Sequence, residues 1–151
     1  MRVHLATDHA GLDHKEAVRT WLQDEGYAVV DHGATLFDPT DDFPDFVVKA
    51  AKAVGETFGS DRAVIFGGSG QGEAMMANRI PYVRAAVFYG GVSTIPVLSR
   101  QHNDSNVLSI GARFVSVDET KKAIWDWLHT DALDEKKYHR RNEKIDEYSG
   151  K

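Results

Sequence analysis

Five short apolar runs, alternating with stretches of helical character, constrain this chain more than any other feature. The runs are Val3–Thr7, Tyr27–Val30, Ala63–Phe66, Ala85–Phe88 and Val107–Ile110. Between them, Leu12, Val18, Trp21 and Leu22 mark one helix, and Phe46, Val47, Ala50, Ala51 and Val54 another. Further helices are predicted over 73–78, over 95–101 and around Ala123, Ile124, Trp127 and Leu128. Gly26 stands where a helix end needs a residue tolerant of positive φ. Residues 31–45 are polar, hold Pro39 and Pro44, and read as a long loop. Strands alternating with helices form parallel sheets covered on both faces. The expected fold is α/β: a three-layer α/β/α sandwich on a five-stranded parallel sheet, in one domain spanning 1–151.

Composition narrows the function classes. A net charge of -5 argues against a nucleic-acid partner. With no cysteine, the chain has neither disulfides nor thiolate chemistry. No apolar run approaches the ~20 residues that span a bilayer. The opening MRVHLATDHA lacks the apolar core of a secretion signal. A cytoplasmic protein with no membrane partner is expected.

In open α/β sheets, ligands bind beyond the carboxyl ends of the strands. Asp8 and His9, the loop Gly67–Gly72, the Tyr89 region and Gly111–Arg113 all follow predicted strands, so they should share one edge. Gly67, Gly68, Gly70 and Gly72 suit a tight strand-to-helix turn, and equally a backbone anion site at a helix N-terminus. The run is neither the dinucleotide G-x-G-x-x-G nor a Walker A loop, which disfavours a nucleotide-binding domain. It is not a nucleophile elbow either, because Gln71 stands where glycine is required. Glu73, in the first turn of the following helix, fits a charge–dipole partner or a general base.

Other polar residues carry two readings each. Asp8-His9 sits at a strand's end, as a ligand pair would. His102-Asn103-Asp104 is a polar turn before the fifth strand, or part of a site. Lys137, Arg140 and Arg141 form a basic cluster in an acidic chain: a solvated face, or a phosphate clamp. No H-E-x-x-H occurs among the seven histidines, so no metal is expected. Residues 134–151 are charged nearly all round. They read as a solvated tail, or as a helical arm that packs on a partner subunit through Tyr138, Ile145 and Tyr148.

Taken in order, TDHAG at 7–11, DFPDF at 42–46, GGSGQGEAMMAN at 67–78, SRQHNDSNVLSIGAR at 99–113 and RRNEKI at 140–145 resemble the ribose-5-phosphate isomerase type B family, which includes galactose-6-phosphate isomerase subunits. The resemblance implies a flavodoxin-like (Rossmann-like) sheet, a homodimer or homotetramer with active sites shared between subunits, and no metal or organic cofactor. It implies a small phosphorylated sugar as substrate and aldose–ketose isomerisation through a cis-enediolate, ribose 5-phosphate to ribulose 5-phosphate by default. A tetrose 4-phosphate or hexose 6-phosphate substrate, or a non-catalytic phosphosugar-binding module, are the alternatives. Many members carry a catalytic cysteine where this chain has Gly67; another branch uses a glutamate after the loop, which Glu73 matches. By the same resemblance, Ser69 hydrogen-bonds the reacting oxygens and the backbone around Gly68, Gly70 and Gly72 stabilises the intermediate. His102 opens the furanose ring, and Asp8 and Asn103 position hydroxyls. His9, Arg113, Lys137 and Arg141 hold the phosphate. The family tail usually reads Arg-His-x-x-Arg. Here Lys137 and Tyr138 fall in the first two places when Arg141 takes the last; alignment on His139 would put Asn142 there instead. Tyr89-Gly90-Gly91-Val92 matches no family pattern.

Overall fold

The computed structural model describes residues 1–149; the last two residues of the expected arm, 150 and 151, lie outside the described residues. Five strands, β1 (Arg2–Thr7), β2 (Ala28–Asp31), β3 (Arg62–Gly67), β4 (Ala85–Phe88) and β5 (Val107–Gly111), form one parallel sheet. Six helices accompany them: α1 (Leu12–Asp24), α2 (Pro44–Glu56), α3 (Gln71–Ala77), α4 (Ile95–Asn103), α5 (Val117–Leu128) and α6 (Lys136–Tyr148). The expected α/β class is present, with a strand order of β2-β1-β3-β5-β4. That order departs from the flavodoxin-like 2-1-3-4-5, because the last two strands exchange places. Burial gives the reason. Every residue of β5 is buried, as a central strand requires, whereas β4 is only half-buried over Ala85–Val87 and suits the edge.

Period-two alternation divides each central strand between two cores. Val3, Leu5, Val64, Phe66, Leu108 and Ile110 meet Val18 and Leu22 of α1 and Ile124 and Trp127 of α5. On the opposite face, Ala6, Ala63, Ile65 and Val107 meet Val47, Ala50, Ala51 and Val54 of α2 and Ala77 of α3. Trp127 is fully buried, and its indole N–H donates to Ser105 Oγ at 2.8 Å, so its one polar group is satisfied.

Local chemistry ends the helices where expected. Gly26 has φ +87°, and the Gly26 and Tyr27 N–H groups donate back to the Gln23 and Leu22 carbonyls, a Schellman closure of α1. Pro44 opens α2, where its missing N–H costs nothing. Ser116 and Glu119 form a capping box at α5. Helix α4 runs through His102 and Asn103, past the end at Gln101 that the sequence predicts; Asp104 in the left-handed region (φ 44°) ends it.

The C-terminal arm is helical, with no buried residue of its own. It lies along its own chain's α4. Arg84 Nη1 donates to both carboxylate oxygens of Asp146, at 2.8 and 2.9 Å, and Asn142 Nδ2 donates to the His102 carbonyl at 3.4 Å. Of the three expected anchors, Tyr138 stacks on His102 of the same chain, while Ile145 and Tyr148 are exposed. No described helix is long and apolar enough to cross a membrane.

Candidate active site

At the carboxyl edge of the sheet, the ends of β1, β3 and β5 enclose a crevice of about 470 Å³. Asp8, His9, Phe43, Gly68, Ser69, Gly72, Glu73 and Arg113 are among its lining. Each wall follows from local structure. After β1, Asp8 caps a 3-10 turn over His9–Gly11 by accepting the Ala10 N–H at 2.9 Å. A Cβ on Gly11 would lie 2.5 Å from Phe66 Cβ, so only glycine lets this turn lie on β3. After β3, the chain turns through Gly70 at φ +76° into α3, and Ser109 Oγ on β5 holds the Gly70 carbonyl at 2.6 Å. After β5, the Arg113 N–H donates to the Gly68 carbonyl at 3.1 Å. The Arg113 guanidinium lies over Gly68, with Nη1 3.1 Å from where a Cβ there would be.

Glu73 is the residue the fold treats most distinctively. It is 5% exposed and its carboxylate folds back beneath Gly67. A Cβ at position 67 would overlap that carboxylate, whose three atoms all lie within 2.5 Å of it. The carboxylate therefore fills the volume that a side chain at 67 would need. Burial pushes the Glu73 carboxyl above the ordinary carboxylate range; its own backbone N–H opposes this, and the neighbouring charge of Asp8 adds to it.

His9 is the second distinctive group. Its ring Nδ1 lies 2.6 Å from Asp41 Oδ1, which also accepts the His9 backbone N–H at 3.1 Å. Phe37 meets the ring edge-on, with centroids 6.0 Å apart. The hydrogen bond to Asp41 leads the rise of the imidazole above its usual pKa; partial desolvation and the Arg113 charge oppose it, and Asp8 supports it. Asp8, His9 and Asp41 are the one group of described residues whose potential ligand atoms converge, within 4.8 Å. Asp41 Oδ1, His9 Nδ1 and Asp8 Oδ1 are engaged in the hydrogen bonds just described, whereas Asp41 Oδ2 is buried without a partner.

The structure thus brings together Asp8, His9, Gly68, Ser69, Gly72, Glu73 and Arg113, with Gly70 shaping the loop behind them. His102, Asn103, Lys137 and Arg141 are not in this crevice. They belong to α4 and α6, at the opposite edge, because the end of α4 leads into the amino end of β5. There His102 stacks on Tyr138 (centroids 4.7 Å, planes 11° apart), and Lys137 Nζ sits 4.6 Å from the other ring's centroid. Asn103 lines a second crevice of about 470 Å³ with Arg84, Ile145 and Tyr148. Arg141 is exposed on α6. Tyr89 takes no part in the Glu73 crevice; it packs edge-on against Phe114, which does line it.

Sequence reasoning missed Asp41, Phe43, Phe114 and the role of Tyr138 beneath His102. The polar loop signalled function only as a whole. Phe43 is held against the glycine loop, where a Cβ on Gly72 would lie 2.8 Å from its Cζ.

Comparison with known proteins agrees with this geometry. The model of the ribose/galactose isomerase family matches residues 3–145. Ribose-5-phosphate isomerase B of Mycobacterium tuberculosis is 34% identical over 148 residues, covering 98% of this chain and 90% of that protein. The crystal structure of ribose-5-phosphate isomerase B from Mycoplasma genitalium with bound ribulose-5-phosphate superposes with a TM-score of 0.92 at 33% identity, covering 97% and 95% of the two chains. The Clostridium thermocellum ribose-5-phosphate isomerase B structure gives 0.89 at 33% identity, covering 97% and 96%. With a family match along nearly its whole length and relatives alike in both sequence and fold, this chain belongs to the ribose/galactose isomerase family.

Proposed function

We propose that this sugar-phosphate isomerase interconverts ribose 5-phosphate and ribulose 5-phosphate, with Glu73 as the base. The observation that carries the reading is a buried carboxylate, seated under a glycine in a crevice that also presents His9 and Arg113. Burial also holds this carboxyl above the ordinary carboxylate range, and a carboxylate of higher pKa is the stronger base toward a carbon-bound proton. In the open-chain aldose, Glu73 removes the C2 proton. The electron pair moves into a C1–C2 double bond and charge develops on O1. The hydroxyl proton of O2 passes to O1, and Glu73 returns its proton to C1, leaving the ketone at C2. Backbone N–H groups of the glycine loop and Ser69 Oγ stabilise the cis-enediolate. Asp8 positions a sugar hydroxyl. His9 and Arg113 hold the phosphate, whose binding energy orients the reacting carbons.

The remaining site residues enter from a second subunit. His102, Asn103, Lys137 and Arg141 share a surface with the exposed Ile145 and Tyr148, which suits an arm-mediated homodimer. In that dimer the partner's arm edge closes the crevice, supplies His102 for ring opening and adds Lys137 and Arg141 to the phosphate. The test is proton NMR in deuterated water with four-, five- and six-carbon aldose phosphates, on the wild type and Glu73→Gln. Conversion of ribose 5-phosphate with deuterium entering at the ketose C1, lost in Glu73→Gln, is the expected result. Conversion that survives Glu73→Gln removes Glu73 as the base. Preference for a four- or six-carbon substrate replaces the assigned sugar.

A further inference from the structure

We infer that Asp41 is a positioning residue that fixes His9 as an imidazolium, turning the ring nitrogen left for the crevice into a hydrogen-bond donor to phosphate. The inference rests on the reading of His9 as a phosphate ligand. A carboxylate only accepts hydrogen bonds, so His9 Nδ1, 2.6 Å from Asp41 Oδ1, carries a proton. Were the ring neutral, Nε2 would then be a bare lone pair, which repels a phosphate oxygen. Only the doubly protonated ring offers Nε2–H to the crevice that His9 lines. The surroundings favour that form. The Asp41 side chain is 9% exposed, and its Oδ2 is buried with no hydrogen-bond partner. A desolvated carboxylate of this kind needs a cation, and His9 is its one ion-pair partner among the described residues. The second bond, from the His9 backbone N–H at 3.1 Å, ties the turn to the same carboxylate.

The charged groups facing His9 come from three segments. Asp41 and Asp38 lie on the 32–43 loop, Asp8 precedes it at the end of β1, and Arg113 follows β5. The Asp41 hydrogen bond, with the charges of Asp8 and Asp41, outweighs partial desolvation and the Arg113 charge and leaves the imidazole raised. The sign follows: the cation is present below the raised pKa and is lost as pH rises through it. Phosphate grip is therefore full on the acid side and fades on the alkaline side, later than an unassisted histidine would allow.

The test compares wild type, Asp41→Asn and His9→Ala across about pH 5–9, which covers the span of roughly pH 5–8 over which a histidine loses its charge. The readouts are KM for ribose 5-phosphate, the inhibition constant of inorganic phosphate, kcat, and the His9 ring titration by NMR. Asparagine keeps the shape but not the charge. Asp41→Asn is expected to move the His9 titration to lower pH and to raise KM and the phosphate inhibition constant together, by roughly tenfold in the window between the two titrations, as befits one charge-assisted bond. The two proteins converge at the acid end, where both rings are charged, and again at the alkaline end, where neither is, and kcat holds throughout. The second ionisation of the sugar phosphate near pH ~6 acts on both proteins alike and cancels in their ratio. An unmoved His9 titration, or a loss in kcat equal at every pH, overturns the inference and leaves Asp41 a structural residue. If His9→Ala itself binds inorganic phosphate as wild type does, the phosphate-ligand reading fails, and the inference with it.

Discussion

Replacing Gly67 by alanine probes the site at its tightest point. The backbone there is ordinary strand, so the change adds one methyl group and no φ strain. That methyl needs about 3.5 Å or more from its neighbours. The farthest of the three Glu73 carboxylate atoms lies 2.5 Å from it. Glu73 must therefore withdraw by about 1 Å or more, a displacement that can cost roughly a hundredfold in rate, or about 2.7 kcal/mol of barrier. What yields is the far end of a flexible side chain, so the stability cost stays near the low end of overpacking, about 1 kcal/mol. The assay is kcat on ribose 5-phosphate beside thermal unfolding, for Gly67→Ala, Glu73→Gln and the double variant. We expect Gly67→Ala to be folded with kcat down at least ~100-fold, and the double variant to be barely worse than Glu73→Gln alone, because both changes remove one carboxylate from one place. Gly67→Ala with near-normal kcat would refute the reasoning, since the base would then work from elsewhere. Losses that multiply in the double variant would show that Gly67 acts independently of Glu73.

Three further outcomes are expected. The raised carboxyl of Glu73 is costly to ionise in the fold, and stability is lost as pH rises from its unfolded toward its folded pKa. Glu73→Gln should accordingly melt above wild type near neutral pH while being inactive, with the gap narrowing as pH falls; a lower melting point at neutral pH would count against the shift. Tyr138→Leu removes the stack beneath His102, a contact worth about 0.5–1.5 kcal/mol. It should lower kcat/KM on ribose 5-phosphate by roughly twofold to tenfold but leave a tetrose 4-phosphate, which has no furanose ring to open, unaffected; equal losses on both would deny the ring-opening link. Trp127→Ala should destabilise the fold by about 3–5 kcal/mol in denaturant unfolding, and a loss under 1 kcal/mol would mean that the core under α5 refills.

Much of this molecule was legible because local signals and tertiary structure agree. Ala85–Phe88 is the strand expected, and the other four runs extend or shift by a residue or two. The order of the last two strands was not legible, because neighbours in a parallel sheet are chosen by burial after the helices have packed. The full burial of β5 becomes visible only in the fold. Glu73 could be found because its loop is contiguous in sequence. Asp41 could not, since Asp38, Asp41, Asp42 and Asp45 look alike until one of them meets a histidine 32 residues away. Helix α4 was cut short for a similar reason: its apolar pattern fades at Gln101, and the Asp104 backbone that ends it carries no sequence mark beyond a residue tolerant of positive φ.

The separation of Glu73 from His102, at opposite edges of one sheet, has a genetic consequence. In a two-fold dimer whose sites each draw on both chains, two dead alleles can rescue one another. A Glu73→Gln chain still offers a sound arm, and a His102→Ala chain still offers a sound crevice. Each mixed dimer then rebuilds one intact site while concentrating both lesions in the other. Random exchange of equal amounts places half the dimers in that mixed class, so about a quarter of all sites revive. Co-expression of the two inactive chains should restore growth where neither alone does, a result that a site confined to a single chain would not produce.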